Sequence, residues 1–398
     1  MRIAISTSVI QQGKTGVAQY VFALVKSFCA HAKDHQFTLF VLEDDLPLFD
    51  FAKTQMEIVP VAECFRPPVK NILWHQTKLP ALIRQHRIDV LHVPSYRRML
   101  FPKPCALVTT IHDLAAFHVA NKYDWKRMFY GRVVAKQFAR RQDEIIAISE
   151  NTARDLERFF KLSRKNISII HNGLDAEHFN CGSKEAAKAF VAQKHKIVAP
   201  FFLYLARLEH PAKNHVRLIC AFNRFKAETK SNWNLVFSGS DWHGAEIIHQ
   251  IIQQSPFSSD IHSLGFVPAN DLPDLYRAAD VFVYPSLYEG FGLPPIEAMA
   301  CGSPVISSPR GSLAEIVGDA ALIIDPDDVA DLKQKMITLS SDAALREEFR
   351  AAGFVRAECF DWKKTAEETL KVYNRAYERV KSGELATICA TPLQATKV

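Results

Sequence analysis

Short apolar, β-branched runs alternate with longer stretches of helical periodicity along nearly all of this 398-residue chain. In the first half the strand-like runs are Arg2–Ser6, Thr38–Leu42, Val90–Val93, Leu107–Ile111, Glu144–Ile148 and Ser168–Ile170. Helical patterns such as Gly16–His31 and Asn151–Phe160 fall between them. In the second half the runs are Phe201–Leu205, Asn234–Ser238, Ile261–Leu264, Val281–Tyr284, Pro304–Ser307 and Ala321–Ile324. Their intervening helices are Asn214–Glu228, Asp271–Ala279, Pro294–Ala300, Ser312–Val317 and Val329–Ser340. Parallel strands need a crossover, and a helix is the usual one, so the alternation predicts an α/β protein of doubly wound parallel sheets. Two such series, at about 150 residues per domain, predict two Rossmann-like domains. Facing each other, they would bind ligands at the carboxyl ends of the strands, in the cleft between. The boundary is expected in the polar stretch Asp175–Pro200, giving one domain over 1–180 and a second over 195–360. The last residues, 382–398, lack helical periodicity and read as a loose tail.

Composition closes off other classes. The chain is 48% apolar and 23% charged, which is globular rather than disordered or fibrous. No run of about 18 residues lacks a charged or strongly polar side chain, so no transmembrane helix is expected. Met1–Ser6 lacks the length and cleavage site of a signal peptide and reads as a buried first strand. The eight cysteines show no C-x-x-C spacing, so neither a disulfide framework nor a zinc ribbon is expected, and a cytoplasmic setting fits. Residues 1–180 hold 25 Lys and Arg against 17 Asp and Glu, whereas the remainder holds 24 against 26. The basic surplus therefore belongs to the first half and suits an anionic partner there.

Four stretches carry chemistry. The first is Tyr288-Glu289-Gly290-Phe291-Gly292-Leu293-Pro294-Pro295-Ile296-Glu297, between a strand and a helix. A glycine turn lets backbone approach a ligand, the helix N-terminus behind it attracts phosphate, and proline suits the first helical turn. Glu289 and Glu297 can accept hydrogen bonds from vicinal hydroxyls of a ribose or sugar; read plainly, they are two solvated glutamates in an ordinary connection. The second is Arg207 and Lys213, six residues apart before Asn214. They can clamp a diphosphate as fork and point charge, and a cation at a helix N-terminus opposes the dipole unless it has such a task. The third is the turn Gly13-Lys14-Thr15-Gly16, a glycine loop opening a helix but neither a P-loop nor a dinucleotide fingerprint. The fourth is His112-Asp113 at the end of a strand, where the aspartate could orient the imidazole; a lone core histidine is the plain alternative.

Other signals are set aside. Asp325-Pro326-Asp327 has a D-x-D form but reads as a strand end, with Asp328 capping the next helix. Fifteen histidines form no H-E-x-x-H and no Cys/His cluster, so no metal is expected. Asn121–Arg141 carries seven Lys and Arg against one Asp, interleaved with aromatics. It fits either a helix on an anionic membrane surface or an amphipathic helix packed on the sheet. No nucleic-acid-binding module appears, so nucleic acid is not expected as a partner.

Taken together, these stretches resemble the retaining glycosyltransferases of family 4, which have the GT-B fold. Ala147–Asn151, Ile170–Asp175, Gly265-Phe266-Val267 and Gly311–Gly318 look like that family too. The resemblance runs from residue 1 to about 380 and is most specific in the second half. It implies a nucleoside-diphosphate sugar as donor substrate, no separate cofactor, and transfer to a saccharide or polyprenyl-linked acceptor. The catalytic set it implies is His112, Arg207, Lys213 and Glu289. Arg207 and Lys213 would hold the diphosphate, Glu289 would contact the sugar near the reacting carbon, and His112 would touch the sugar. Glu297 would take the ribose hydroxyls, Gly290, Phe291, Gly292 and Leu293 would lie against sugar and phosphate, and Gly16 would meet the phosphate. Gly13, Asn214 and Val267 complete the implied donor site. In such folds a C-terminal helix, here 361–380, often crosses back to the first domain. Two positions depart from the pattern: Ala206 replaces a Gly before Arg207, and Gln12 replaces a second Gly in the first turn. The Ile-His-Asp-Leu form is similar to bacterial mannosyltransferases of surface-polysaccharide assembly, which makes GDP-mannose the first expectation for the donor; the basic first half makes the cytoplasm, with peripheral binding to the inner membrane face, the expected location. A nucleotide-sugar epimerase of the same fold, or a non-catalytic nucleotide-sugar-binding protein, remains as an alternative.

Overall fold

A computed structural model describes residues 1–13, 15–98, 100–118 and 128–383. The chain divides into two compact units, residues 1–173 with 362–398, and residues 174–361. The changeover thus falls at Gly173–Leu174, ahead of the expected boundary. Much of the supposed linker is a helix, Lys184–His195, whose Ser183 side chain accepts a hydrogen bond from the Ala186 N–H. Only Ala187 and Val191 of that helix are buried, so its sequence looks polar enough to pass for a connector.

Among its described residues the first unit holds seven parallel strands: β1 (Arg2–Ser6), β2 (Gln36–Leu42), β3 (Glu57–Val61), β4 (Val90–Val93), β5 (Ala106–Ile111), β6 (Glu144–Ala147) and β7 (Ile167–Ile169). Their spatial order is β3-β2-β1-β4-β5-β6-β7. Successive side chains serve opposite faces: Ile3 and Ile5 of β1 join one core cluster, Ala4 the other. The helix Trp362–Lys381 covers the Ile3 face with Ala366, Val372, Tyr373 and Ala376. It is pinned by Arg379, whose guanidinium lies 2.8 Å from the buried Glu144 carboxylate, and by Tyr373, whose hydroxyl lies 2.7 Å from His92 Nδ1. Gly173, at the changeover, has no room for a side chain, since a Cβ there would stand 2.3 Å from the Trp362 nitrogen.

The second unit holds six parallel strands: β8 (Phe201–Leu205), β9 (Asn234–Ser238), β10 (Ile261–Ser263), β11 (Val281–Tyr284), β12 (Val305–Ser307) and β13 (Ala321–Ile323). The order is β10-β9-β8-β11-β12-β13. In each sheet the winding reverses beside the first strand, at β1/β4 and at β8/β11. Diverging crossovers leave a crevice at the carboxyl ends of that pair, which is where open α/β sheets bind ligands.

Candidate functional site

In the second unit the two motif loops leave β8 and β11, the strands at the reversal, and they are tied together. The Leu287 N–H donates to the Ala212 carbonyl at 3.0 Å. Asn214 sits in left-handed backbone ahead of the helix His215–Thr229. Its buried amide donates to the Pro285 and Pro326 carbonyls at 3.1 and 2.7 Å, while its oxygen accepts from Arg217. The side chain expected to touch the donor is therefore spent on bracing three loops.

Across this brace Lys213 meets Glu289. The ammonium lies 2.5 Å from Glu289 Oε1, with the two side chains 17% and 15% exposed. The Tyr284 hydroxyl donates to the same oxygen at 3.0 Å, and the Tyr204 hydroxyl fixes the Lys213 carbonyl at 2.7 Å. Ser312 holds the Glu289 turn from the loop after β12, its hydroxyl donating to the Glu289 and Phe291 carbonyls at 3.1 and 2.6 Å. Gly311 is required for that approach: its φ is +67°, and a Cβ would stand 2.3 Å from the Glu289 carbonyl oxygen.

Behind the turn, Gly292 precedes the helix Leu293–Ala300, with prolines in its first turn. Glu297, one turn in, is half-buried and accepts from the Tyr276 hydroxyl at 2.8 Å. Burial pushes its carboxyl up to about 7; the Tyr276 bond opposes this and the Asp175 charge adds to it. Arg207 is 52% exposed, stacks its guanidinium 4.8 Å over the Trp242 ring, and stands 4.0 Å from Glu209. The Val267 and Phe291 side chains are buried in the unit, which leaves only their backbone for a ligand.

In the first unit His112 follows β5, half-buried, edge-on to the Tyr20 ring at 4.8 Å. Burial lowers its pKa to about 4, so it is neutral at pH 7, and among the described residues its Nε2 has no hydrogen-bond partner. Asp113 does not orient it. That carboxylate accepts from the Ala115 N–H, and the imidazole bonds instead to the Pro94 backbone. Gly13 has φ +80°, and the preceding Gln12 shares the left-handed region at +57°, so the residue standing where a glycine is usual keeps a glycine-like backbone. Gly16 opens the helix Gly16–His31, capped by Thr15, with open space around it. Among the described residues no three His, Cys, Asp or Glu side chains gather as a metal site. Asp328 caps the helix Val329–Ser341, as its sequence position implies.

Residues 187–356 match the family model described as Glycosyl transferases group 1, and residues 14–178 match Glycosyltransferase Family 4. Two glycosyltransferase models together span most of the chain, which is a glycosyltransferase. This glycosyltransferase is 28% identical to the O-antigen chain mannosyltransferase B of Escherichia coli, over 94% of this chain and 99% of that one. It is 28% identical over 73% of its length to a serotype-specific mannosyltransferase of Escherichia coli, and spans 36% of that longer protein. Among solved structures, a sucrose-phosphate synthase from Thermosynechococcus elongatus superposes with a TM-score of 0.76 at 20% identity, covering 95% of this chain and 99% of that one. Anabaena HepE in complex with UDP and glucose superposes with a TM-score of 0.74 at 18% identity, covering 94% and 99%. The glycosyltransferase therefore has the GT-B fold of two Rossmann-like domains.

The structure brings Lys213, Glu289 and the Gly290–Leu293 turn together at one reversal point, with Glu297 one helical turn away. His112, Gly13 and Gly16 lie at the carboxyl ends of the other sheet. Tyr284 and Tyr276 escaped the sequence reading because a tyrosine in an apolar run reads as core, while Ser312 lies in the family-like stretch Gly311–Gly318 without a role having been given to it. Their one available signal is position, since Tyr284 ends the strand at which the winding reverses.

Proposed function

We propose that this glycosyltransferase moves a mannosyl group from a nucleoside-diphosphate mannose to a saccharide or lipid-linked saccharide in cell-surface polysaccharide assembly. The near full-length likeness to an O-antigen chain mannosyltransferase supports the sugar and the setting. The observation that carries the chemistry is the Lys213–Glu289 pair beside the N-terminus of Leu293–Ala300. Departure of a nucleoside diphosphate builds negative charge, and a fixed ammonium plus a helix N-terminus stabilises it in place, with Arg207 as a second cation. Glu289, held by Lys213, Tyr284 and the Ser312 brace, sits where a carboxylate can bind sugar hydroxyls near the reacting carbon. Glu297 takes the ribose diol. Transfer proceeds with retention of anomeric configuration and without a metal ion.

The first domain works against an anionic membrane face. Phe129 and Val133 are exposed on the helical stretch 128–139, alongside exposed Arg132, while Tyr130 and Phe138 pack into the core. The rest of the basic segment, residues 121–127, lies outside the described residues. Among the described residues no helix is long and apolar enough to cross a membrane.

The test is a transfer assay with labelled GDP-mannose, UDP-glucose and UDP-galactose against saccharide and lipid-linked acceptors, with and without EDTA, reading the new linkage by NMR. An α-mannosyl product formed in EDTA supports the proposal. Isomerised free nucleotide sugar would point to the epimerase, and donor binding without turnover to a binding protein.

A further inference from the structure

The first sheet reverses at β1/β4, and a polar cluster fills that point. Ser6 ends β1 and Ser8 follows it, while Asn71 and His75 lie on the helix Pro68–Thr77. Arg98 ends the short turn Tyr96–Arg98 after β4. His75 is fully buried and neutral, its pKa lowered to about 3 by burial. Its Nδ1–H donates to the Asn71 carbonyl at 2.8 Å, which leaves Nε2 to accept from the Ser6 hydroxyl at 2.9 Å. The Asn71 side-chain oxygen accepts from Ser8 at 3.3 Å and from Arg98 Nε at 2.6 Å, while its amide donates to the Phe65 carbonyl. Arg98 Nη1 donates to the Arg97 carbonyl at 3.3 Å. The Tyr130 hydroxyl donates to that carbonyl as well, at 3.0 Å, so the loop is pinned.

Among the described residues both acceptors of Arg98, the Asn71 side-chain oxygen and the Arg97 carbonyl, are neutral. No carboxylate pairs with it among the described residues, although the side chain is half-buried. Nearby Arg66 shows the contrast, since it is matched by Asp45 and Glu63. Burial, with the Arg97 charge acting the same way, holds Arg98 down to about 10. A half-buried cation without a counter-ion costs free energy that the charge of a ligand would offset. Two of its nitrogens are anchored; among the described residues the third has no hydrogen-bond partner, and a free guanidinium edge suits an oxyanion. The same loop begins with Pro94, whose backbone bonds His112.

We propose that Arg98, positioned by Asn71, binds a phosphoryl group of the acceptor at the β1/β4 reversal. Calling that phosphoryl group part of the acceptor rests on the transferase reading; the anion site itself does not. Two sources share this chemistry, a soluble sugar phosphate and a lipid-linked diphosphate.

The test is calorimetry on the full chain with saturating GDP present to fill the donor site, titrating inorganic pyrophosphate, dodecyl phosphate and glucuronate. Pyrophosphate should bind, with affinity at least tenfold weaker in Arg98→Gln and unchanged in Lys213→Met. Arg98→Lys, which keeps the charge and loses the fork, should lie between and covers the case in which Arg98→Gln fails to fold. Tighter binding of dodecyl phosphate than of pyrophosphate assigns the lipid-linked source, and equal binding the soluble one. Binding that survives Arg98→Gln, binding lost in Lys213→Met, or a preference for glucuronate overturns the proposal. No step requires turnover, so these outcomes are separate from failure of the transferase reading.

Discussion

Lys213→Met separates what the Lys213–Glu289 pair does for the fold from what it does for the reaction. Breaking a fully buried ion pair costs about 3–5 kcal/mol, and an exposed pair contributes about 0–1 kcal/mol. With about a sixth of each side chain exposed and Tyr284 still donating to Glu289, the stability loss should fall near 1–3 kcal/mol. The kinetic loss should be larger. A fixed charge facing a leaving group contributes about 2.7–4 kcal/mol to the transition state, or roughly a hundredfold to a thousandfold in kcat. The double variant Lys213→Met/Glu289→Gln removes both charges. It should regain most of the stability and none of the activity. Urea denaturation and steady-state donor kinetics read the two quantities. A Lys213→Met enzyme that loses stability yet keeps kcat within about threefold would refute the leaving-group role and leave Lys213 a structural partner of Glu289.

Donor KM should rise as pH falls through about 7, because Glu297 then holds the proton its burial favours and loses acceptor capacity for the ribose diol; Glu297→Gln should flatten that profile. Since its folded pKa lies above the ordinary 4.5, its contribution to stability is full below that value and lost as pH rises through about 7, a slope that chemical denaturation across pH 4–8 should show weakened in Glu297→Gln. Gly311→Ala should destabilise by about 1–3 kcal/mol and lower kcat, since a Cβ 2.3 Å from the Glu289 carbonyl forces the turn to move; unchanged kinetics would remove that turn from the site. Binding to anionic vesicles should weaken steeply with salt and fall further in Phe129→Asp/Val133→Asp, by co-sedimentation, with donor affinity unchanged.

Strands buried on both faces were the most legible part of the sequence. Arg2–Ser6, Val90–Val93, Phe201–Leu205, Asn234–Ser238 and Val281–Tyr284 have the bounds their apolar runs imply. Glu57–Val61 was missed because it is an edge strand carrying Pro60, which a central strand would not tolerate. Asn151–Phe160 reads as one helix, yet its regular turns end at Asp155 and Leu156–Phe160 widens before Lys161 turns left-handed. At the site, charged residues after strands were visible and their neighbours were not. Asn214 looks like a ligand-facing polar residue until its amide is seen bridging Pro285 and Pro326. Arg98 looks like one basic residue among many until the lack of a carboxylate beside it, among the described residues, sets it apart.

The central claim, that the donor binds at the β8/β11 reversal, is tested most directly by hydrogen–deuterium exchange of the full chain with and without GDP-mannose. Protection should concentrate in residues 206–214 and 285–297, the loops after β8 and β11 with the first turn of Leu293–Ala300. It should disappear in Lys213→Met/Glu297→Gln at the same donor concentration. Saturating donor that leaves both loops unprotected, or that protects the second sheet only at its opposite, amino ends, would contradict the account.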